Sequence, residues 1–176
     1  LRVRWPVFAG VHGEGILIQP KGKALARVIY LPDADTNPEK LADDAILAYS
    51  GCEIIIPALI SRGTEFSSND RFGVKTNVPH REWIYRQSFE LGRHIIGYEV
   101  QKVLSLMDYF SAQSEQLPVL VAGLGEGGLV ALYSGAIDPR ISSVYVWGYF
   151  APREDLWSEP IYRNLLDVLK PRVEAI

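Results

Sequence analysis

The stretch Pro118-Val119-Leu120-Val121-Ala122-Gly123-Leu124-Gly125-Glu126-Gly127-Gly128-Leu129-Val130-Ala131-Leu132-Tyr133 decides how the chain is read. Val119 to Ala122 is an apolar run with β-branched Val at two positions, which suits a strand covered on both faces. Glycines at 123, 125, 127 and 128 follow. Glycine at this density marks a turn in which a Cβ would clash, or a backbone that another group approaches closely. An almost wholly apolar segment then runs to Asp138-Pro139, where the proline stops a helix. The unit reads as a buried strand, a tight turn and a buried helix.

Two kinds of site are built on such a unit. One is the dinucleotide fingerprint G-x-G-x-x-G, which Gly123, Gly125 and Gly128 match. The other is the nucleophile elbow G-x-Nu-x-G, framed by Gly123 and Gly127. In that frame the nucleophile position is Gly125, which has no side chain. The fingerprint also asks for an acid ~20 residues on, at the end of the next strand, to hold ribose hydroxyls. That strand ends Val146-Trp147-Gly148-Tyr149, and Glu154 and Asp155 come only after Pro152. Glu126 inside the turn would oppose a pyrophosphate at the helix N-terminus. Without a phosphate it is favoured there, because the helix dipole attracts an anion. The elbow is the better frame. Taking Glu126 itself as nucleophile puts bulky Leu124 where the turn needs a small residue.

Working outward, residues 3–8 and 15–19 read as two strands joined through a glycine turn at 10–15, with His12 a surface residue of that turn. Residues 24–31 form a more central strand ending in the polar loop Pro32-Asp33-Ala34-Asp35. Thr36-Asn37-Pro38-Glu39 has helix-start chemistry, and a helix is expected over 39–49. The next strand, 53–60, is broken by Pro57 and followed by Ser61-Arg62-Gly63-Thr64. Residues 65–79 read as a surface loop or lid. A long helical pattern opens at His80. Its core face is marked by Ile96, Val100, Val103, Met107 and Phe110, with Glu99, Gln101, Lys102 and Asp108 on a solvated face. His94, four after Glu90, reads as one half of a helical surface pair.

After the central unit come a strand at 142–149, a loop at 150–160, a short helix at 161–169 and the beginning of a strand at 171–176. Strands alternating with helices predict one α/β domain over 1–176, a mostly parallel sheet with helices on both faces. The strands at 24–31, 53–60, 118–122 and 142–149 are expected to be parallel neighbours, the first beside the third.

A chain of 176 residues, 48% hydrophobic and 22% charged, can bury one core. Its net charge of −3 gives no electrostatic reason to expect nucleic acid or an anionic membrane as partner. No stretch approaches the ~18 apolar residues of a membrane span. No charged leader and apolar signal core precede the first strand; a signal peptide removed before this sequence begins would leave the same chain, so its location is left open, export included. The single Cys52 excludes an internal disulfide and, beside Ile54-Ile55-Ile56, reads as a buried inert thiol. No H-E-x-x-H or Cys/His spacing is present, so neither a metal site nor a cofactor is expected.

The segments Arg93-His94-Ile95-Ile96-Gly97-Tyr98-Glu99-Val100-Gln101-Lys102-Val103-Leu104, Gly123 to Tyr133 and Ser158-Glu159-Pro160-Ile161-Tyr162-Arg163-Asn164 resemble bacterial α/β-hydrolase-fold proteins of the dienelactone hydrolase and acetyl xylan esterase type. Trp5-Pro6-Val7, Gly13-Glu14-Gly15, Pro32-Asp33-Ala34-Asp35 and His80-Arg81-Glu82-Trp83-Ile84-Tyr85-Arg86 are similar too, so the resemblance covers nearly the whole chain. It implies an α/β-hydrolase-like sheet, esterase ancestry and a carbohydrate ester or small ester as partner.

Active members of the wider group carry Ser in the elbow, where this chain has Gly125. Their acid follows a later strand and their histidine the last one. The sequence reaches Ile176 in what reads as that later strand, so the last strands are expected to lie outside it or in missing segments. The oxyanion-hole positions carry over as backbone N–H groups of Glu126 and of the Asp33-Ala34 loop. Among side chains, Glu126 and His80 are the candidates for chemistry. Asp33, Asp35 and Arg62 are candidates for the cleft, with Tyr149, Phe150 and Trp157 as its aromatic lining. Three readings follow: an esterase-type hydrolase, a non-catalytic sugar- or ester-binding relative, and a dinucleotide-binding protein.

Overall fold

The computed structural model describes residues 1–42, 51–65, 67, 71, 73, 76–149, 155 and 158. It divides into two compact units, Leu1–Ser61 with Ile96–Tyr149, and Arg62–Ile95 with Phe150–Ile176.

The first unit holds a six-stranded sheet. Its strands are β1 (Arg2–Phe8), β2 (Val11–Ile18), β3 (Arg27–Leu31), β4 (Glu53–Pro57), β5 (Val119–Leu124) and β6 (Ser143–Trp147), in the order β1-β2-β4-β3-β5-β6. β2 is antiparallel to both β1 and β4, while β4, β3, β5 and β6 run parallel. The four parallel strands are those expected from the sequence, and β3 lies beside β5 with Ile29 opposite Val121. The helices are α1 (Pro38–Ala42), α2 (His80–Glu90), α3 (Ile95–Ser111) and α4 (Glu126–Ile137).

Burial follows the strand period of two. In β3 and β5, Arg27, Ile29, Leu31, Val119, Val121 and Gly123 are buried. The register brings Val144 and Val146 of β6 level with Val121 and Gly123, and α4 lies over this face with Gly135 against Val144. Tyr30, Ala122, Leu124, Tyr145 and Trp147 line an apolar groove of about 360 Å³ on the sheet. In α3 the expected core face is buried throughout, from Ile96 through Val100, Val103 and Met107 to Phe110.

Four expectations are corrected. The helical pattern opening at His80 is two helices, because Gly92 takes a left-handed φ of 68° between them and ends the first. Glu90 closes α2 and His94 precedes α3, so they are not a helical pair; His94 meets the Tyr85 ring edge-on at 5.1 Å. Glu99 is not solvated. It has no exposed surface, pairs with Lys102 Nζ at 2.7 Å and accepts the Ile60 N–H at 2.8 Å, which ties α3 to the chain beyond β4. His12 is in β2, opposite Pro6, since the turn is confined to Ala9 and Gly10.

Cys52 is half-buried, one residue before β4. The end of the helix expected over 39–49 and the elements expected over 150–176 fall outside the described residues, apart from positions 155 and 158. No helix among the described residues is long and apolar enough to cross a membrane.

Candidate functional site

β5 ends at Leu124 and α4 begins at Glu126, so Gly125 alone reverses the chain, at φ 56° and ψ −118°. This is a left-handed φ that side chains rarely adopt, and a nucleophile elbow is a turn of this strained kind. Its neighbours are small for a steric reason. A Cβ on Gly123 would run into the Gly127 carbonyl, and one on Gly127 into the carbonyls of Leu31 and Pro32. Both obstacles are backbone, which cannot rotate away. The spacing read from the sequence is therefore the spacing the turn needs.

Main-chain bonds pin the turn. The Gly125 N–H donates to the Trp147 carbonyl at 2.8 Å, and the Leu129 N–H to the Gly125 carbonyl at 3.2 Å. On the facing loop the Thr36 N–H donates to the Asp33 carbonyl at 2.9 Å, which turns the chain after β3. That turn holds the Asp33 side chain across from the elbow. Asp33 Oδ1 accepts the Glu126 N–H at 2.9 Å. A Cβ added to Gly125 would lie 2.7 Å from this oxygen and 2.8 Å from Asp33 Cγ. The carboxylate fills the space in which an elbow side chain would begin. It also engages the amide that follows the nucleophile position, and its charge suits the helix N-terminus.

Asp33, Gly125 and Glu126 are thus brought together. Asp33 is half-buried, Ala34 after it is buried, and Asp35 is exposed one residue further on. Glu126 has no exposed surface, so it meets the elbow as a backbone donor from the core side. Tyr149 follows β6 with its Cβ against Gly128. Phe150 and Trp157 lie outside the described residues.

Arg62 and His80 belong to the second unit. His80 opens α2, its N–H donating to the Gly63 carbonyl at 2.7 Å. Burial holds its imidazole below the usual histidine pKa, with the Glu65 charge pulling weakly the other way. Among the described residues no group of three or more His, Cys, Asp or Glu is placed to hold a metal ion.

Sequence reasoning placed Asp33 and Glu126 on loops at one sheet edge but missed their bond. Nothing in either segment signals it, because the partners are 93 positions apart. It also missed the Trp147 carbonyl as the acceptor that holds the elbow.

No family model matches the chain, and no curated protein matches it. Solved structures do. One, assigned as an acetyl xylan esterase from Bacteroides fragilis, aligns over 81% of this chain and 43% of its own length, at 17% identity and a TM-score of 0.56. A zinc-bound cold-adapted esterase from an Arctic intertidal metagenomic library aligns over 88% of this chain and 62% of its own, at 19% identity and 0.56. An α/β hydrolase from Novosphingobium aromaticivorans aligns over 90% and 48%, at 16% identity and 0.56. The chain spans less than two thirds of each. Likeness at this identity speaks for the fold alone, and it agrees with the strand order and the elbow: the chain has the α/β-hydrolase fold.

Proposed function

We propose that the chain is a non-catalytic relative of the carbohydrate and small-molecule esterases, which binds a sugar or small ester at the elbow without forming an acyl-enzyme. The observation that carries this is Gly125. The turn has elbow geometry, yet the nucleophile position has no side chain and its space is held by the Asp33 carboxylate. Serine acyl transfer needs a hydroxyl there and a free amide after it. Exposed Asp35, on the loop of Asp33 and Ala34, supplies an acceptor for sugar hydroxyls. The dinucleotide reading is disfavoured by the same geometry, since a pyrophosphate would meet Asp33 at the first turn of α4.

A second reading, hydrolysis by activated water, has one observation in its favour. Burial lowers the His80 pKa, which favours the neutral imidazole over the charged one, the form in which a general base acts. One experiment separates the two. The wild-type chain is titrated calorimetrically with acetylated xylo-oligosaccharides and assayed for acetate release from them. Binding without release above the buffer rate is expected, weakened about tenfold by Asp35→Asn, the worth of one hydrogen bond to a charged group. Release that disappears in His80→Ala would replace the binding reading with the hydrolytic one. Absence of both binding and release would remove both.

A further inference from the structure

In an elbow of this fold the amide after the nucleophile position is a seat for an oxygen that carries negative charge. Here that amide is already taken. Asp33 Oδ1 sits on the Glu126 N–H at 2.9 Å, and the same oxygen lies 2.7 Å from where a residue-125 Cβ would stand. One carboxylate therefore covers both the nucleophile's place and the oxyanion's. The turn at Asp33–Thr36 sets the backbone from which it reaches, and Asp33 is half-buried.

We propose that Asp33 is a specificity-determining residue: an internal carboxylate that closes the elbow amide to acyl and carboxylate oxygens of any ligand. The idea deepens the binding reading above and rests on it for its biological sense, but its geometry stands apart. If it is right, the chain is locked against acyl chemistry twice, by the missing hydroxyl and by the filled seat. It also fixes which half of an ester the cleft reads. The acyl oxygen has no donor to receive it at the Glu126 amide, and a negative ligand meets a like charge at the entrance. The alcohol half, with its hydroxyl donors, is the part that remains to be bound. A plain helix-capping role for Asp33 would require the same bond but would make no demand on ligands.

The test follows the backbone amide resonance of Glu126 in isotopically labelled chain while sodium acetate is added. In wild type this resonance is expected to stay still. In Asp33→Ala it is expected to move at once, from loss of the acceptor, and then to respond to acetate with an affinity at least about tenfold above wild type. Asp33→Asn keeps an acceptor oxygen and is expected to stay as unresponsive as wild type. Asp33→Ser, whose hydroxyl ends a bond short of the amide, is the second opened variant should the alanine form not fold.

A wild-type resonance that titrates with acetate would overturn the proposal, because the seat would then be open with Asp33 in place. An opened variant that gains no acetate response would overturn it too, leaving Asp33 a cap. Acetate response in Asp33→Asn equal to that in Asp33→Ala would likewise contradict occupation. Failure of the binding reading would show separately, as wild type that binds no xylo-oligosaccharide while the amide still behaves as described.

Discussion

Strand β3 is flanked by a charged side chain at each end, and the two are used differently. Arg27, its first residue, is buried. Its Nε donates to Glu53 Oε1 at 3.2 Å, its Nη1 to the Glu115 carbonyl at 3.1 Å, and its guanidinium stacks 5.0 Å from the Phe110 ring. These partners come from β4, from α3 and from the approach to β5, so one side chain ties together the strand ends remote from the elbow. Asp33, two residues past the other end, is half-buried, and its bond goes to the amide of a strained turn. A buried charge paired on several sides is a fixture of the scaffold. A carboxylate resting on the amide after the nucleophile position would, on the reading proposed above, stand in for a ligand. The chemistry of the sheet is to be sought at its carboxyl edge, and its rigidity at the other.

That contrast is broken most easily at the Arg27 end. Arg27→Met strands Glu53 and the carbonyls of Phe110 and Glu115 in a partly buried site, and should lower the urea unfolding free energy by about 3 kcal/mol. A loss as small as that of a surface substitution would mean that the knot is ornamental. Asp33→Ala removes the charge-assisted bond to the Glu126 amide at the head of α4, and about 1 kcal/mol should go, the worth of a helix cap. The circular dichroism of the sheet and helices should not change. A loss equal to that at Arg27 would make Asp33 scaffold as well and erase the difference between the two ends.

The smallest effect at neutral pH is expected at the far end of α4. Asp138 caps that end and accepts from Arg140 Nε at 2.9 Å and Nη2 at 2.6 Å. The hydrogen bond from the Arg140 side chain holds its carboxyl below the ordinary value of 3.8, with burial opposing. A depressed folded-state pKa gives stability that is complete above the unfolded value and is lost as pH falls through the folded one. The melting temperature of wild type should therefore fall on acidification below about 4, and Asp138→Asn should flatten that part of the curve. An unchanged acid limb in the variant would show that Arg140 contributes nothing through Asp138.

Much of the fold was legible because its signals are local. The apolar run at 119–122 and the alternation in the neighbouring strands sort residues between two faces, and the glycine spacing at 123 and 127 is dictated by backbone collisions that any chain making this turn would meet. The break between α2 and α3 was missed because apolar residues recur at helical intervals on both sides of it, and Gly92 is one glycine in a polar stretch. Glu99 was misread for a related reason. A buried ion pair leaves the same letters in sequence as a solvated one, and only the Ile60 amide and Lys102 reveal which it is. The site was legible as a frame, with Gly125 at its centre. Its occupant was not, since the Asp33 bond to Glu126 is made between loops far apart in the chain.

The central claim is that the elbow is built but carries no acylable nucleophile. The most direct measurement is exposure of the purified chain to an excess of a fluorophosphonate, followed by intact-mass and peptide mapping. The account predicts an unmodified mass, and only trace labelling after Gly125→Ser, whose Cβ would have to displace the Asp33 carboxylate. Stoichiometric labelling of the native chain at any serine would contradict it.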